Sequence, residues 1–223
     1  YMKYKMELDS SRVFEIIKRE KTLDKAYTAI VNETFEGDVC FTKEEKIKLS
    51  EAISELKVRL ENHNIKFWID WGTFLGAYRS NEIISWDKDF DISILSKDKN
   101  KTIEIIQSLP DLVSITENKK HYLGINVESI KREHKICIDI NVWDYIEDSE
   151  GSFLIDDYCQ PRDYSFFEKL DSVMLEDLDL LLPCPTLSSA KDLLTIMYGE
   201  NFMLPPGNPL LDSKGRPWFE NRG

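Results

Sequence analysis

The sequence contains no CxxC pair. Its four cysteines, Cys40, Cys137, Cys159 and Cys184, are far apart, so the usual zinc-ligand spacing is excluded. A reducing compartment is the simpler reading of so few cysteines, with one or two disulfides left open. Cys137 lies in an apolar run and is expected in the core. No apolar run is long enough to span a bilayer, and the N-terminus carries no signal-peptide pattern. Positive charge is in deficit: 29 Lys and Arg stand against 41 Asp and Glu, a net charge of −12. That excludes a nucleic-acid backbone as the partner, because phosphate binding needs a basic stripe. It does not exclude nucleotides, which Mg²⁺ can bring to an acidic site. Internal repeats and low-complexity linkers are also missing. The chain opens at Tyr1 and stops at Gly223, and is expected to be a piece of a longer protein.

What is present describes a globular chain of 223 residues, 42% hydrophobic and 31% charged, large enough for one domain with additions or two small ones. Residues 9–33 place Val13, Ile16, Ile17, Leu23, Ala26 and Ile30 at roughly helical spacing, which predicts an N-terminal helical arm. Thr42 and Glu45 fit a capping box. The helix that follows carries Leu49, Ala52, Ile53, Leu56 and Leu60 on one face and is expected to end near Asn62-His63-Asn64, leaving His63 on the surface. Ile65 to Trp71 reads as a strand, Phe74 to Tyr78 as a short helix, and 89–95 as a strand. Residues 98–108 suit a helix ending before Pro110. Residues 111–130 read as two strands joined near Asn118-Lys119-Lys120, and 135–142 as another strand. The stretch 147–187 reads as irregular, with Asp156 to Phe167 either lining a cleft or covering the sheet, and Leu180-Leu181-Leu182-Pro183 buried. Ser189 and Asp192 fit a second capping box. It opens a helix carrying Leu193, Leu194, Ile196 and Met197, with Gly199 as its C-cap.

Two stretches carry candidate chemistry. In Asp89-Phe90-Asp91-Ile92-Ser93-Ile94, charge alternates with apolar bulk. On a strand, Asp89 and Asp91 share one face about 7 Å apart, and Phe90, Ile92 and Ile94 share the other. Two carboxylates so close repel, and a divalent cation relieves both repulsion and desolvation, for which hard oxygen ligands suit Mg²⁺. A solvated, Asp-rich strand face explains the alternation equally well. The run 135–142 alternates again, with Ile136, Ile138, Ile140 and Val142 toward the core and Asp139 opposite, beside Cys137 and Asn141. If this strand lies next to 89–95, three carboxylates converge on a site able to hold one or two metals. Gly72-Thr73 follows the first strand and opens the short helix. Unpaired N–H groups there favour anions, and Gly72 lets a phosphate approach the backbone. Arg79 either reaches the same phosphate or complements the helix C-terminus.

GTFLGAYR followed by SWDKDFDISIL resembles the GT-LLGA-R … PWDDDIDI signature of the LicD/fukutin family. ICIDINVWDY is similar to that family's downstream acidic strand, and LLTIMYGENFMLPP to its LYG…PP ending. The resemblance runs from about Glu45 to Pro206. It implies an α/β fold, a nucleotidyltransferase-type mixed β-sheet flanked by helices. The expected arrangement is an N-terminal helical arm (1–38), a catalytic core (39–150) and a C-terminal helical extension completing the substrate cleft (151–223). It implies transfer of a phospho-alcohol such as phosphocholine, ribitol phosphate or glycerol phosphate from a CDP-activated donor to a glycan or sugar-phosphate acceptor, with Mg²⁺ or Mn²⁺ as cofactor and CMP released. Carried over, Asp89, Asp91 and Asp139 are the catalytic and metal-binding carboxylates. Gly72, Thr73, Arg79 and Asp87 serve the substrate, Asp87 as a helper outside the metal set. Lys88, Ser85 and Ser80-Asn81 depart from the family pattern. The other readings are a non-catalytic nucleotide- or glycan-binding module and an NMP-transferring nucleotidyltransferase. The compartment implied is the bacterial cytoplasm at the membrane face, or the Golgi lumen if an anchor precedes this chain.

Overall fold

The computed structural model describes residues 10–20, 25–26, 29, 41–84, 87, 89–109, 112–127, 136–156 and 161–203. Phe41–Leu193 forms one compact unit, and the rest of the chain a second. In the second, α1 (Ser10–Arg19) buries Ile16 with Ala26, and Ile17 and Ala29 pack on them. Leu23 and Ile30, also expected in this arm, lie outside the described residues.

The larger unit opens with α2 (Lys43–Asn62). The capping box forms as its sequence dictates: Thr42 Oγ1 accepts from the Glu45 N–H at 3.1 Å, and Glu45 Oε2 accepts from the Thr42 N–H at 2.7 Å. Leu49, Ala52, Ile53, Leu56 and Leu60 are all buried on one face. The helix ends at His63, which is exposed. β1 (Phe67–Ile69) is shorter than the expected strand, because α3 (Trp71–Ser80) already starts at Trp71, capped by Asp70. β2 (Asp89–Leu95), α4 (Lys99–Gln107), β3 (Val113–Lys119), β4 (Tyr122–Val127) and β5 (Ile136–Glu147) follow.

Together these strands form a mixed sheet in the order β1-β2-β5-β4-β3, in which β2 and β5 run parallel and the other neighbours antiparallel. One face is continuous hydrocarbon: Phe90, Ile92 and Ile94 of β2, Ile138, Ile140 and Val142 of β5, and Leu123, Ile125 and Val127 of β4 are all buried. α2 packs on α4 and β4, and α4 on β3, so the two helices lie against the sheet. Burying each such side chain contributes about 1.5–3 kcal/mol, which fixes the register, since a one-residue slip would turn these residues outward.

The stretch 147–187 is not irregular. β6 (Ser152–Ile155) returns antiparallel to the end of β5, so the sheet continues across position 150, and β7 (Arg162–Asp163) pairs with β6. After α5 (Ser165–Glu168), β8 (Asp171–Leu175) and β9 (Leu180–Cys184) make a hairpin. β9 alternates in burial: Leu182 is buried, whereas Leu181, expected inside, is half exposed. α6 (Ala190–Tyr198) ends at Gly199, whose positive φ of 84° suits a glycine cap. Cys137 leaves the expected core position: period-two alternation turns it to the opposite face, where it is half-buried with its Sγ 3.7 Å from Asn126 Oδ1, while Cys184 is buried. Among the described residues, no helix is long and apolar enough to cross a membrane.

Candidate active site

The parallel pairing of β2 and β5 sets Asp91 directly beside Asp139, and Asp89 beside Cys137. Neighbouring strands lie about 4.8 Å apart, so Asp89, Asp91 and Asp139 share one patch of the polar sheet face. The sheet thus brings together the three carboxylates that the two alternating runs offered.

The start of α3 closes on this patch. The Gly72 N–H donates to Asp91 Oδ2 at 3.1 Å, Thr73 Oγ1 accepts from the Asp91 N–H at 2.8 Å, and the Asp70 N–H donates to the Asp91 carbonyl at 3.2 Å. Gly72 and Thr73, expected to serve a phosphate, both bond Asp91. Gly72 leaves room for two carboxylates: a Cβ there would lie 2.5 Å from Asp87 Oδ2 and 3.3 Å from Asp91 Oδ2. Asp87, which precedes the strand, is thereby brought to the same helix start as Asp91. Its loop is braced from the β8–β9 hairpin. The Asp177 carboxylate accepts from the Ile83 N–H at 3.2 Å and from Lys46 Nζ at 2.7 Å, and the Glu176 N–H donates to the Asn81 carbonyl at 2.7 Å. Arg79 lies in the last turn of α3, two turns from Gly72. Lys88 lies outside the described residues.

The electrostatics follow from the crowding. Burial, and then the charges of Asp89, Asp70, Asp87 and Asp139, push the Asp91 carboxyl up to about 8. Burial also raises Asp139, against the stabilising hydroxyl of Tyr122, which donates to Asp139 Oδ1 at 2.7 Å. Among the described residues no three His, Cys, Asp or Glu side chains form a ready-made cation cage. The donor set nonetheless fits a hard divalent cation: it offers carboxylate oxygens only, and their mutual repulsion is what such a cation relieves.

Behind the acids sits a polar cluster that sequence reading missed. Asp70 is fully buried, and Arg162 Nη1 lies 2.8 and 2.9 Å from its two oxygens. Ser93 Oγ donates to Asp70 Oδ2 at 2.7 Å, and Trp143 Nε1 donates to Ser93 Oγ at 3.0 Å. The guanidinium lies over the rings of both Trp71 and Trp143, its carbon 4.2 and 4.4 Å from the ring centres. Trp71 itself has a φ of 42°, a left-handed conformation rare for a bulky residue. The strain falls at the turn that aims Gly72 at Asp91, as strained residues at functional sites do. A carboxylate inside the apolar run FWIDW was the available signal for Asp70, since a buried charge needs a partner. Nothing local pointed to Arg162.

The LicD/FKTN/FKRP nucleotidyltransferase-domain family matches residues 64–184. Two curated relatives are uncharacterised proteins of Rickettsia: one from Rickettsia typhi, 30% identical over 58% of this chain, and one from Rickettsia prowazekii, 32% identical over 42%. The matches cover 38% and 32% of those proteins, so the chain spans well under half of their length. Among solved structures the chain is similar to ANT(2")-Ia in complex with adenylyl-2"-tobramycin, at 12% identity over 62% of this chain and 69% of that one, with a TM-score of 0.45. It is also similar to a putative nucleotidyltransferase from Thermotoga maritima, at 11% identity over 66% of this chain and 83% of that one, with a TM-score of 0.37. The family match takes in β1 through β9, including the Asp89, Asp91 and Asp139 strands and the Gly72 turn, and the mixed sheet flanked by helices is a nucleotidyltransferase-type fold: the chain belongs to the LicD/FKTN/FKRP family.

Proposed function

We propose that this chain is the core of a metal-dependent phosphotransferase that moves a phospho-alcohol from a CDP-activated donor to a glycan or sugar-phosphate acceptor. The observation that carries this reading is the register of Asp91 beside Asp139, with Asp89 two residues away on the same face. Membership of the LicD/FKTN/FKRP family supports it. Asp89, Asp91 and Asp139 would hold Mg²⁺ or Mn²⁺, which would supply positive charge against the donor diphosphate and the charge that builds in the transition state.

The protein's own residues do the rest. The Gly72 N–H and the Thr73 hydroxyl fix Asp91 in orientation. Asp87 stands at the same turn, where it adds a carboxylate beside Asp91. An acceptor oxygen attacks the phosphorus that bears the alcohol. A new P–O bond forms, the anhydride P–O bond to CMP breaks, and CMP leaves with the electron pair. The proton of a hydroxyl acceptor passes to solvent water, with Asp139 kept as a ligand of the cation.

The test is thermal stability and CMP release with CDP-choline, CDP-ribitol and CDP-glycerol, with and without Mg²⁺. Mg²⁺-dependent stabilisation by one of them with CMP release supports the reading and names the donor, since a ligand of the folded state raises the melting temperature. Response to a nucleoside triphosphate with pyrophosphate release points instead to nucleotidyl transfer. Metal-dependent binding without any CMP release points to a binding module.

A further inference from the structure

We propose that Tyr122 is a positioning residue for Asp139, and that position 124 is glycine so that Tyr122 can reach it. The inference rests on the reading of the acid cluster as a cation site.

The sheet register sets the problem. β4 pairs antiparallel with β5 so that Tyr122 faces Asn141, and Gly124 faces Asp139. Tyr122 therefore reaches Asp139 only by leaning two positions along its own strand, across residue 124. That path is open because residue 124 has no side chain. A Cβ there would lie 3.1 Å from the Tyr122 Oη, 3.2 Å from its Cε1 and 3.1 Å from Thr116 Oγ1 of β3. The ring thus lies over Gly124, walled on the other side by Thr116, and its hydroxyl donates to Asp139 Oδ1 at 2.7 Å. A hydroxyl bonded to a carboxylate at this distance is a short, charge-assisted bond.

The consequence is geometric. Tyr122 takes Oδ1, and among the described residues no other side chain is bonded to Asp139, so Oδ2 is the oxygen left for a cation. A carboxylate otherwise free to turn about its last bond is pinned at one oxygen. Partners of this kind raise metal affinity by about 10–100-fold, because the ligand need not be ordered when the metal binds.

The experiment is Mn²⁺ titration, followed by electron paramagnetic resonance, of the full chain and of Tyr122→Phe, Gly124→Ala, the double variant and Asp139→Asn. Tyr122→Phe is expected to weaken Mn²⁺ binding about 10-fold with the melting temperature nearly unchanged, which a merely structural ring would not do. Gly124→Ala is expected to weaken it similarly, by pushing the ring off Asp139. The double variant is expected to be no worse than either single one, because both remove the same bond. Wild-type affinity in Tyr122→Phe, or losses that multiply in the double variant, overturns the role of Tyr122. If Gly124→Ala does not fold, Tyr122→Phe alone decides. Mn²⁺ binding unaffected by Asp139→Asn overturns the role while leaving Asp89 and Asp91 as the site. No Mn²⁺ binding by the wild type overturns the cation reading itself, and this inference with it.

Discussion

Arg162 and Asp70 stand 92 residues apart in sequence, yet one guanidinium nitrogen of Arg162 lies 2.8 and 2.9 Å from the two oxygens of Asp70. Both side chains are buried, with 5% and 0% of their surface exposed, and Asp70 also caps α3 and bonds Ser93. The pair ties β7 to the turn that presents Gly72 to Asp91.

Removing one partner leaves the other as a buried, uncompensated charge. Arg162→Ala is therefore expected to lower stability by about 3–5 kcal/mol, measured by urea unfolding. Arg162→Lys is expected to recover only part of this, because an ammonium lacks the planar fork that lies over Trp71 and Trp143 and reaches Asp70. A loss for Arg162→Ala below about 1 kcal/mol, the range of an exposed pair, would mean that the pair does not hold the turn.

Two glycines of α3 are expected to respond in opposite ways to alanine. At Gly76 the added Cβ meets backbone, the Glu82 carbonyl at 2.6 Å and the Ile84 nitrogen at 3.0 Å, which cannot step aside. Gly76→Ala should cost about 1–3 kcal/mol of stability, the range of an overpacked site. At Gly72 the nearest obstacle is the mobile end of the Asp87 side chain at 2.5 Å. Gly72→Ala should leave stability nearly intact and cut turnover by about 100-fold, as small misplacements at reacting groups do. Equal melting temperatures for the two variants would contradict this assignment.

The pH dependence of stability has a definite sign. The Asp91 carboxyl is raised to about 8, first by burial and then by Asp89, Asp70, Asp87 and Asp139. Between about pH 4, where an unfolded aspartate releases its proton, and about 8, the folded state binds more protons than the unfolded one. Stability without a divalent cation should therefore fall as pH rises through that window, and the contribution of the protonated carboxyl is lost above it. Saturating Mg²⁺ should flatten the decline, because the cation replaces the proton. Urea midpoints at pH 5 and pH 8, in EDTA and in Mg²⁺, measure both slopes. A flat profile in EDTA would remove the electrostatic argument for a cation.

Asp89→Asn and Asp91→Asn are each expected to abolish CMP release, by about 100-fold or more for a group that acts on the transition state, with the fold retained. Asp91→Asn should also remove most of the pH dependence of stability described above. Normal turnover in both variants would sink the proposed mechanism.

Much of the site was legible because its signals are local. Alternation in 89–95 put Asp89 and Asp91 on one face whatever the strand's neighbours, and the capping box fixed the start of α2. The strands of 147–187 do not show in the sequence because β6 to β9 are two to five residues long, too short for a period to stand out. The apolar neighbours of Cys137 suggest the core, but the strand period places it on the acidic face beside Asp89.

The sequence by itself determined which side chains share a strand face and where α2 begins, because periods of 2 and 3.6 residues are properties of the local backbone. Tertiary structure alone decided that β5 lies parallel to β2 with Asp139 beside Asp91, that Gly72 and Asp87 close on the same carboxylate, that Tyr122 crosses Gly124, and that Arg162 meets Asp70. Those relationships depend on strand order and register. Order and register are set by burying the whole apolar face of the sheet at once, and no short stretch of the chain records that sum.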